Sequence, residues 1–334
     1  MKTIHKIKSL TLHFFTFSLF AISLSTISDS AFAEHNPQAT EKEPQKVTLM
    51  LDWFVNPNHG PIIIAKEKGL FKKEGLNVTI QEPADPSIPD KLVAAGRVDI
   101  AVSYPNTLIS GVAEKLPLVH SGSLIATPLN AMIVLKKSGI KTLKDLKGKN
   151  IGVSVSGTEE ASITTMLQTA GIDPKSVKII NVGWALSSSL ASGRVDAIWG
   201  GMRNFELNQL DLEGYPAKAF YPEEHGIPVF DELIFVANKN TYDKAMLEKF
   251  NHALEMATVY ILNHPDDAWA EFIKYAPDTL NTPLNKKAWQ DTLSRFTRRP
   301  GAVEFKRYDD LAQFMLDHKV INHRPQAKDY VLRY

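Results

Sequence analysis

Lys91 to Asn106 reads KLVAAGRVDIAVSYPN and Ser188 to Asn204 reads SSLASGRVDAIWGGMRN, so a helix end, a Gly-Arg-Val-Asp turn and an apolar strand occur twice, about one domain apart. The segments ahead of each copy match as well. VTLMLDWFVNPNHG, the helix-like GPIIIAKEKGLFKKEG and the strand LNVTI precede the first; KNIGVSVSGTEEA, SITTMLQTAG and SVKIINV precede the second. Strands alternating with helices of this length predict an α/β protein of two lobes. Each lobe is a mostly parallel sheet flanked by helices, with ligands expected beyond the carboxyl ends of the strands.

In the first copy Pro61 suits the first turn of a helix after Asn58-His59-Gly60, while Gly69 and Gly75 punctuate the stretch between that helix and the strand LNVTI. In the second, Ser156 to Glu159 has the S-x-x-E spacing of a capping box, and Gly171 suits a helix C-terminus. MIVLKKSGIKTLKDLKGK is expected to carry the chain into the second lobe, and IPVFDELIFVANKN to bring it back. The long pattern DKAMLEKFNHALEMATVYILNH comes next, with Met246, Phe250, Leu254, Ala257 and Ile261 down one face. AWAEFIKYA, KKAWQDTLSRF and DDLAQFMLDH read as helices on the outside of lobe one. The expected division is 46–138 with 232–334 for lobe one and 139–231 for lobe two.

Residues 1–33 have the layout of a secretory signal: Lys2, Lys6 and Lys8, an apolar run, then Ala31-Phe32-Ala33, with cleavage expected after Ala33. The competing membrane anchor is opposed by the Ser, Thr and His that interrupt the run and by the small-x-small site at its end. Residues 34–45 read as a flexible leader. Removing the signal takes away three lysines and Asp29 and leaves a nearly neutral chain, because Lys+Arg 38 balance Asp+Glu 37 in the whole sequence. No basic run or nucleic-acid fold signature stands out, so nucleic acid is not an expected partner. The absence of cysteine leaves neither disulfides nor a lipid-modified anchor. The expectation is a monomeric periplasmic protein.

Loops at strand carboxyl ends carry the candidate site. They supply Trp53, Tyr104, Trp184 and Trp199 for stacking, and Asn56, Asn58, His59, Ser103, Asn106, Ser156, Gly157, Thr158, Gly200 and Glu206 for polar contact. Packing competes with ligand contact for each aromatic, and capping a turn competes with ligand contact for His59. Glu159 and Glu160 open a helix and read as complements to its dipole. The histidines lack metal-ligand spacing, and no nucleophile elbow, dinucleotide fingerprint or phosphate loop occurs. Reversible capture of a small molecule, without cofactor or turnover, is therefore expected, with the lobes closing about their crossings.

LDWFVNPNHGPIIIAKEKGLFKKEGLNVTI, DKLVAAGRVDIAVSYPNTL, IGVSVSGTEEASITTML and SGRVDAIWGGMRNFELNQLDLEGY resemble the thiamine-pyrimidine-precursor family over roughly Lys46 to Trp269. That family includes ThiY-like receptors of ABC importers and the hydroxymethylpyrimidine phosphate synthases. The resemblance implies the two-lobed type II periplasmic-binding-protein fold, an ABC permease as partner, and a formylaminopyrimidine or hydroxymethylpyrimidine ligand. It further implies stacking on Trp53 or a facing aromatic, and an acid such as Glu206 accepting from the exocyclic amine. The lysine and consumed histidine of the synthases align with Ser103 and Thr107, and their cysteine-rich run has no counterpart. The resemblance thus favours receptor over enzyme. Shorter parts of these motifs also resemble receptors for sulfonates and related ligands; Arg203 and Ser156 keep a sulfonate, carboxylate or riboflavin-like cargo open.

Overall fold

The computed structural model describes residues 43–155 and 159–334. The signal segment 1–33 and the leader as far as residue 42 lie outside the described residues. Among the described residues ten strands occur in chain order: β1 (Gln45–Met50), β2 (Leu76–Gln81), β3 (Ile100–Ser103), β4 (Leu118–Ile125), β5 (Asn130–Leu135), β6 (Asn150–Val153), β7 (Lys178–Asn181), β8 (Ala197–Met202), β9 (Ala217–Phe220) and β10 (Leu233–Asn238). They form two five-stranded sheets, ordered β2-β1-β3-β10-β4 and β7-β6-β8-β5-β9. In the first, β1 runs parallel to β2 and β3, while β10 is antiparallel to β3 and β4; in the second, β6 runs parallel to β7 and β8, while β5 is antiparallel to β8 and β9. Each sheet therefore has four co-directional strands and one opposed strand, which arrives from the other lobe.

The repeated Gly-Arg-Val-Asp turn holds the parallel strands together. Gly96 and Gly193 take positive φ of 65° and 76°, which ends the preceding helix at little steric cost. Val98 and Val195 are buried. The Asp99 carboxylate then accepts from the Thr48 backbone N–H at 2.7 Å and its hydroxyl at 2.6 Å, and the Asp196 carboxylate accepts from the Asn150 N–H at 2.9 Å. In both copies an aspartate ties the start of one strand to its parallel neighbour, at the end of the sheet away from the strands' carboxyl termini.

The helix Lys244–Asn263 is capped by Asp243, whose carboxylate accepts from the Met246 N–H, and it buries Met246, Phe250, Leu254, Ala257 and Ile261. Phe250 stacks on Phe71 at 5.2 Å and meets Phe235 of β10 edge-on at 5.1 Å, which docks the helix on the first sheet.

Two expectations are corrected. Residues 130–138 were assigned to lobe one, but β5 pairs with β8 and β9 in the second sheet, so the first crossing lies between Ile125 and Asn130. Met132, Ile133 and Val134 are completely buried, and a strand covered on both faces carries no alternation to say which sheet it joins. The helix Pro283–Thr292 was expected on the outside of lobe one. It does pack there, with Trp289 meeting Phe272 at 5.1 Å in the core of lobe one, but it is not confined to that lobe: Asp291 accepts from the Asn208 side-chain amide at 2.7 Å, and Thr292 from the Asn204 amide at 2.6 Å, so it also reaches the helix Glu206–Leu212 beside the second sheet.

Replacing Asp99 with alanine removes the bonds its carboxylate takes from the Thr48 backbone N–H and hydroxyl. It should lower the unfolding free energy by about 1–3 kcal/mol in urea denaturation, with no change in ligand affinity.

Candidate functional site

A cavity of about 120 Å³ lies between the two sheets, at the carboxyl ends of their strands. Asp52, Trp53, Asn56 and Asn58 reach it from the loop after β1; Ser103, Tyr104, Asn106 and Thr107 from the end of β3; and Ser154, Val155 and Glu159 from the loop after β6. Trp199, Gly200, Met202, Phe205 and Glu206 come from β8 and the turn beyond it, and Asn130, Phe230 and Glu232 from the crossings.

The segment D-W-x-x-N-x-x-H folds as a capped turn. The Asn56 side chain accepts from the Asn58 N–H at 2.9 Å, and His59 Nδ1 accepts from the Asn56 N–H at 3.2 Å. That leaves Nε2 as the protonated nitrogen, and it donates to Asp52 Oδ1 at 2.9 Å. The other oxygen of Asp52 accepts from the Tyr104 hydroxyl at 2.6 Å. One buried carboxylate thereby fixes a phenol and an imidazole from two different loops.

Three further acids are held by uncharged donors. Asp90 accepts from the Ser103 hydroxyl at 2.8 Å, Glu206 from the Met202 N–H at 2.7 Å, and Glu232 from the Asn130 N–H at 2.9 Å and the Leu129 N–H. Burial outweighs these bonds and pushes Asp90, Glu206 and Glu232 each up to about 7. Glu159 rises well above the usual carboxyl range through burial and the adjacent Glu160. No Lys, Arg or His lines the cavity among the described residues. Nor does any group of three or more His, Asp or Glu among them have the arrangement of a metal site.

Two sequence-derived candidates are corrected. His59 is completely buried and does not line the cavity; its two nitrogens are used by Asp52 and Asn56, so it positions Asp52. Trp184 lies outside the lining; its ring packs against Trp53 at 4.2 Å and Phe54 at 4.6 Å. Trp53, Asn56, Asn58, Ser103, Tyr104, Asn106, Trp199, Gly200 and Glu206 all line the cavity. Asn58 also serves as an interlobe tie, accepting from the Asn204 amide at 2.6 Å. Ser156, Gly157 and Thr158 lie outside the described residues. Arg203 is turned away: it pairs with Glu223 at 2.6 Å and packs on the Tyr221 ring.

Sequence reasoning missed Asp52, Asp90, Glu159 and Glu232. A signal existed for two of them. Asp231-Glu232 interrupts an otherwise apolar strand pattern, and Asp90 lies beyond the loop after β2, the counterpart of the loop chosen after β7.

The fold is that of periplasmic binding proteins. The alkanesulfonate-binding protein SsuA of Xanthomonas axonopodis pv. citri superposes with a TM-score of 0.70 at 16% identity, over 87% of this chain and 99% of that one. The chain belongs to the NMT1/THI5-like family, whose model matches residues 56–268. It is 51% identical over 288 residues to a Haemophilus influenzae protein named "Putative thiamine biosynthesis protein", across 86% of this chain and 92% of the relative. It is also 31% identical over 266 residues to the formylaminopyrimidine-binding protein of Halalkalibacterium halodurans, across 79% of this chain and 80% of the relative.

Because the folded pKa of Asp90 and Glu232 exceeds the unfolded value, the folded state keeps protons that the unfolded chain has released. The stability they contribute is full below about pH 4 and is lost as the pH rises through about 7. Thermal melts of the empty protein should therefore fall between pH 5 and 8. Asp90→Asn or Glu232→Gln should flatten that fall, each by on the order of 2 kcal/mol.

Proposed function

We propose that this chain is a periplasmic solute-binding protein that captures a thiamine-related aminopyrimidine, formylaminopyrimidine or hydroxymethylpyrimidine, and presents it to an ABC permease without chemical turnover. The observation that carries the reading is the cavity lining: five carboxyl groups and several aromatic rings, with no lining cation among the described residues. Carboxyls in a low-dielectric cavity favour a ligand rich in N–H donors and repel an anion, whose charge would go unmet. A planar aminopyrimidine supplies both an exocyclic N–H pair and a face for Trp53, Tyr104 or Trp199. Glu206, at the first position of its helix, is the acid assigned to the amine.

The sulfonate and carboxylate alternatives lack support at this site, since Arg203 is committed to Glu223. The exported-synthase alternative lacks its chemistry, because Ser103 and Thr107 stand in the lining where the resemblance would require a lysine and a histidine. The 31% identity to a formylaminopyrimidine-binding protein supports the ligand class. Export rests on the signal-like residues 1–33 together with the fold.

Calorimetry tests the reading. Wild type should bind 4-amino-5-hydroxymethyl-2-methylpyrimidine or its formylaminomethyl analogue and give no heat with an alkanesulfonate. Trp53→Ala should weaken pyrimidine binding by roughly tenfold or more, from loss of ring contact. Heat from the sulfonate and none from either pyrimidine would remove the assignment.

A further inference from the structure

Glu159 differs from the other four lining acids. All five accept a hydrogen bond from the protein, Glu159 from the Val155 N–H, but only Glu159 keeps a carboxyl oxygen, Oε2, sealed from solvent with no hydrogen-bond partner among the described residues. A buried carboxylate oxygen left bare is costly, while a carboxylic acid in the same place costs far less. The groups facing Glu159 sharpen the contrast. Glu160 adjoins it on its own helix, Glu232 approaches from the crossing into β10, and the Tyr104 phenol comes from the loop after β3; none is a cation. Burial and the two neighbouring glutamates favour its neutral form, and only the Val155 N–H favours the ionised one. Beneath the carboxyl lies Gly200 at φ +95°, where an added Cβ would stand 3.3 Å from Oε1, so the backbone of β8 leaves the group its room.

We propose that Glu159 is the specificity-determining residue of the cavity, meeting its ligand as a neutral carboxylic acid whose Oε2 hydroxyl donates to an unprotonated ring nitrogen. The inference rests on the aminopyrimidine reading and adds the protonation state and the contact. A carboxylate offers only acceptors, whereas a carboxylic acid offers a donor beside an acceptor. That pair matches a ring nitrogen flanked by an exocyclic amine, and no net charge is buried when the two meet. An analogue with C–H in place of that nitrogen would leave the hydroxyl unmet, and an anionic ligand would face a set of acids with nothing to neutralise it.

The test uses the full-length exported chain, its Glu159→Gln and Glu159→Ala variants, and 4-amino-5-hydroxymethyl-2-methylpyrimidine as the probe. Infrared difference spectra of the empty protein, wild type minus Glu159→Gln at pH 7, should show the carbonyl band of a protonated carboxyl. In calorimetry Glu159→Gln, whose amide is a neutral donor, should bind within about threefold of wild type at pH 7, and Glu159→Ala should be weaker by about 10- to 100-fold. Raising the pH towards 9 should weaken wild type and leave Glu159→Gln unchanged, because an ionised Glu159 cannot donate. A missing infrared band overturns the proposal. So does a Glu159→Gln protein that melts like wild type yet binds more than about 30-fold more weakly, since the ligand would then need a carboxylate. No heat from wild type with the probe overturns the functional reading and this inference together; heat that Glu159→Gln alone loses overturns only the inference.

Discussion

Asp52, Asp90, Glu159, Glu206 and Glu232 share one interlobe cavity, and the groups that meet them are hydroxyls, backbone amides and an imidazole N–H rather than cations. Removing an acid from water into a medium far less polarisable disfavours its charged form. Burial therefore lifts Asp90, Glu206 and Glu232 to about 7 and raises Glu159 well above the usual carboxyl range. Each acid whose neutral form is favoured in this way can offer a donor as well as an acceptor. A ligand that satisfies those groups gains hydrogen bonds in a low-dielectric site, and one that brings its own negative charge finds no cation in the lining to meet it.

The duplicated architecture supplies the acids from opposite sides. Asp52 and Asp90 come from segments following strands of the first sheet, Glu159 and Glu206 from segments following strands of the second, and Glu232 from the return crossing. The exchange of one antiparallel strand per sheet makes this possible. β5 and β10 each leave one lobe and enter the middle of the other, so both crossings run close behind the cavity and contribute Asn130 and Glu232 to it. Asn130 Oδ1 accepts from the Gly200 N–H at 2.9 Å, which joins the first crossing to the floor beneath Glu159.

What the sequence disclosed depended on whether the physics was local. The doubled Gly-Arg-Val-Asp turn, the apolar face of the long helix and the strand–helix alternation are local patterns, and the two-lobed α/β fold is their direct consequence. The sheet membership of β5 depends on pairing with strands more than 60 residues away, and nothing within Met132–Leu135 records it. In the site, loop membership was legible and side-chain direction was not. Trp53 and Trp184 both occupy loops at strand ends, yet only Trp53 faces the cavity. His59 and Glu159 illustrate the same limit in opposite senses. Each had an ordinary explanation, capping a turn for one and complementing a helix dipole for the other. It held for His59, whereas Glu159 makes no side-chain cap bond and turns inward.

The contacts that bring the lobes together are both apolar and polar, since one hydrophobic cluster contains residues of both, among them Met50, Leu108, Met132 and Ile151. Trp53 meets Trp184, and Asn58 takes the Asn204 amide. An aromatic pair contributes about 1 kcal/mol beyond its buried area, and a neutral hydrogen bond that water can replace contributes a similar net amount. Each such polar or aromatic contact is therefore a small increment beside what a bound molecule can add. The ligand shifts the balance towards closure only through interactions made in the closed arrangement and missing in the open one. A cavity walled by acids from both lobes meets that condition, because a single planar molecule with donors on one edge and acceptors on another is fully satisfied only when both walls are within hydrogen-bond reach.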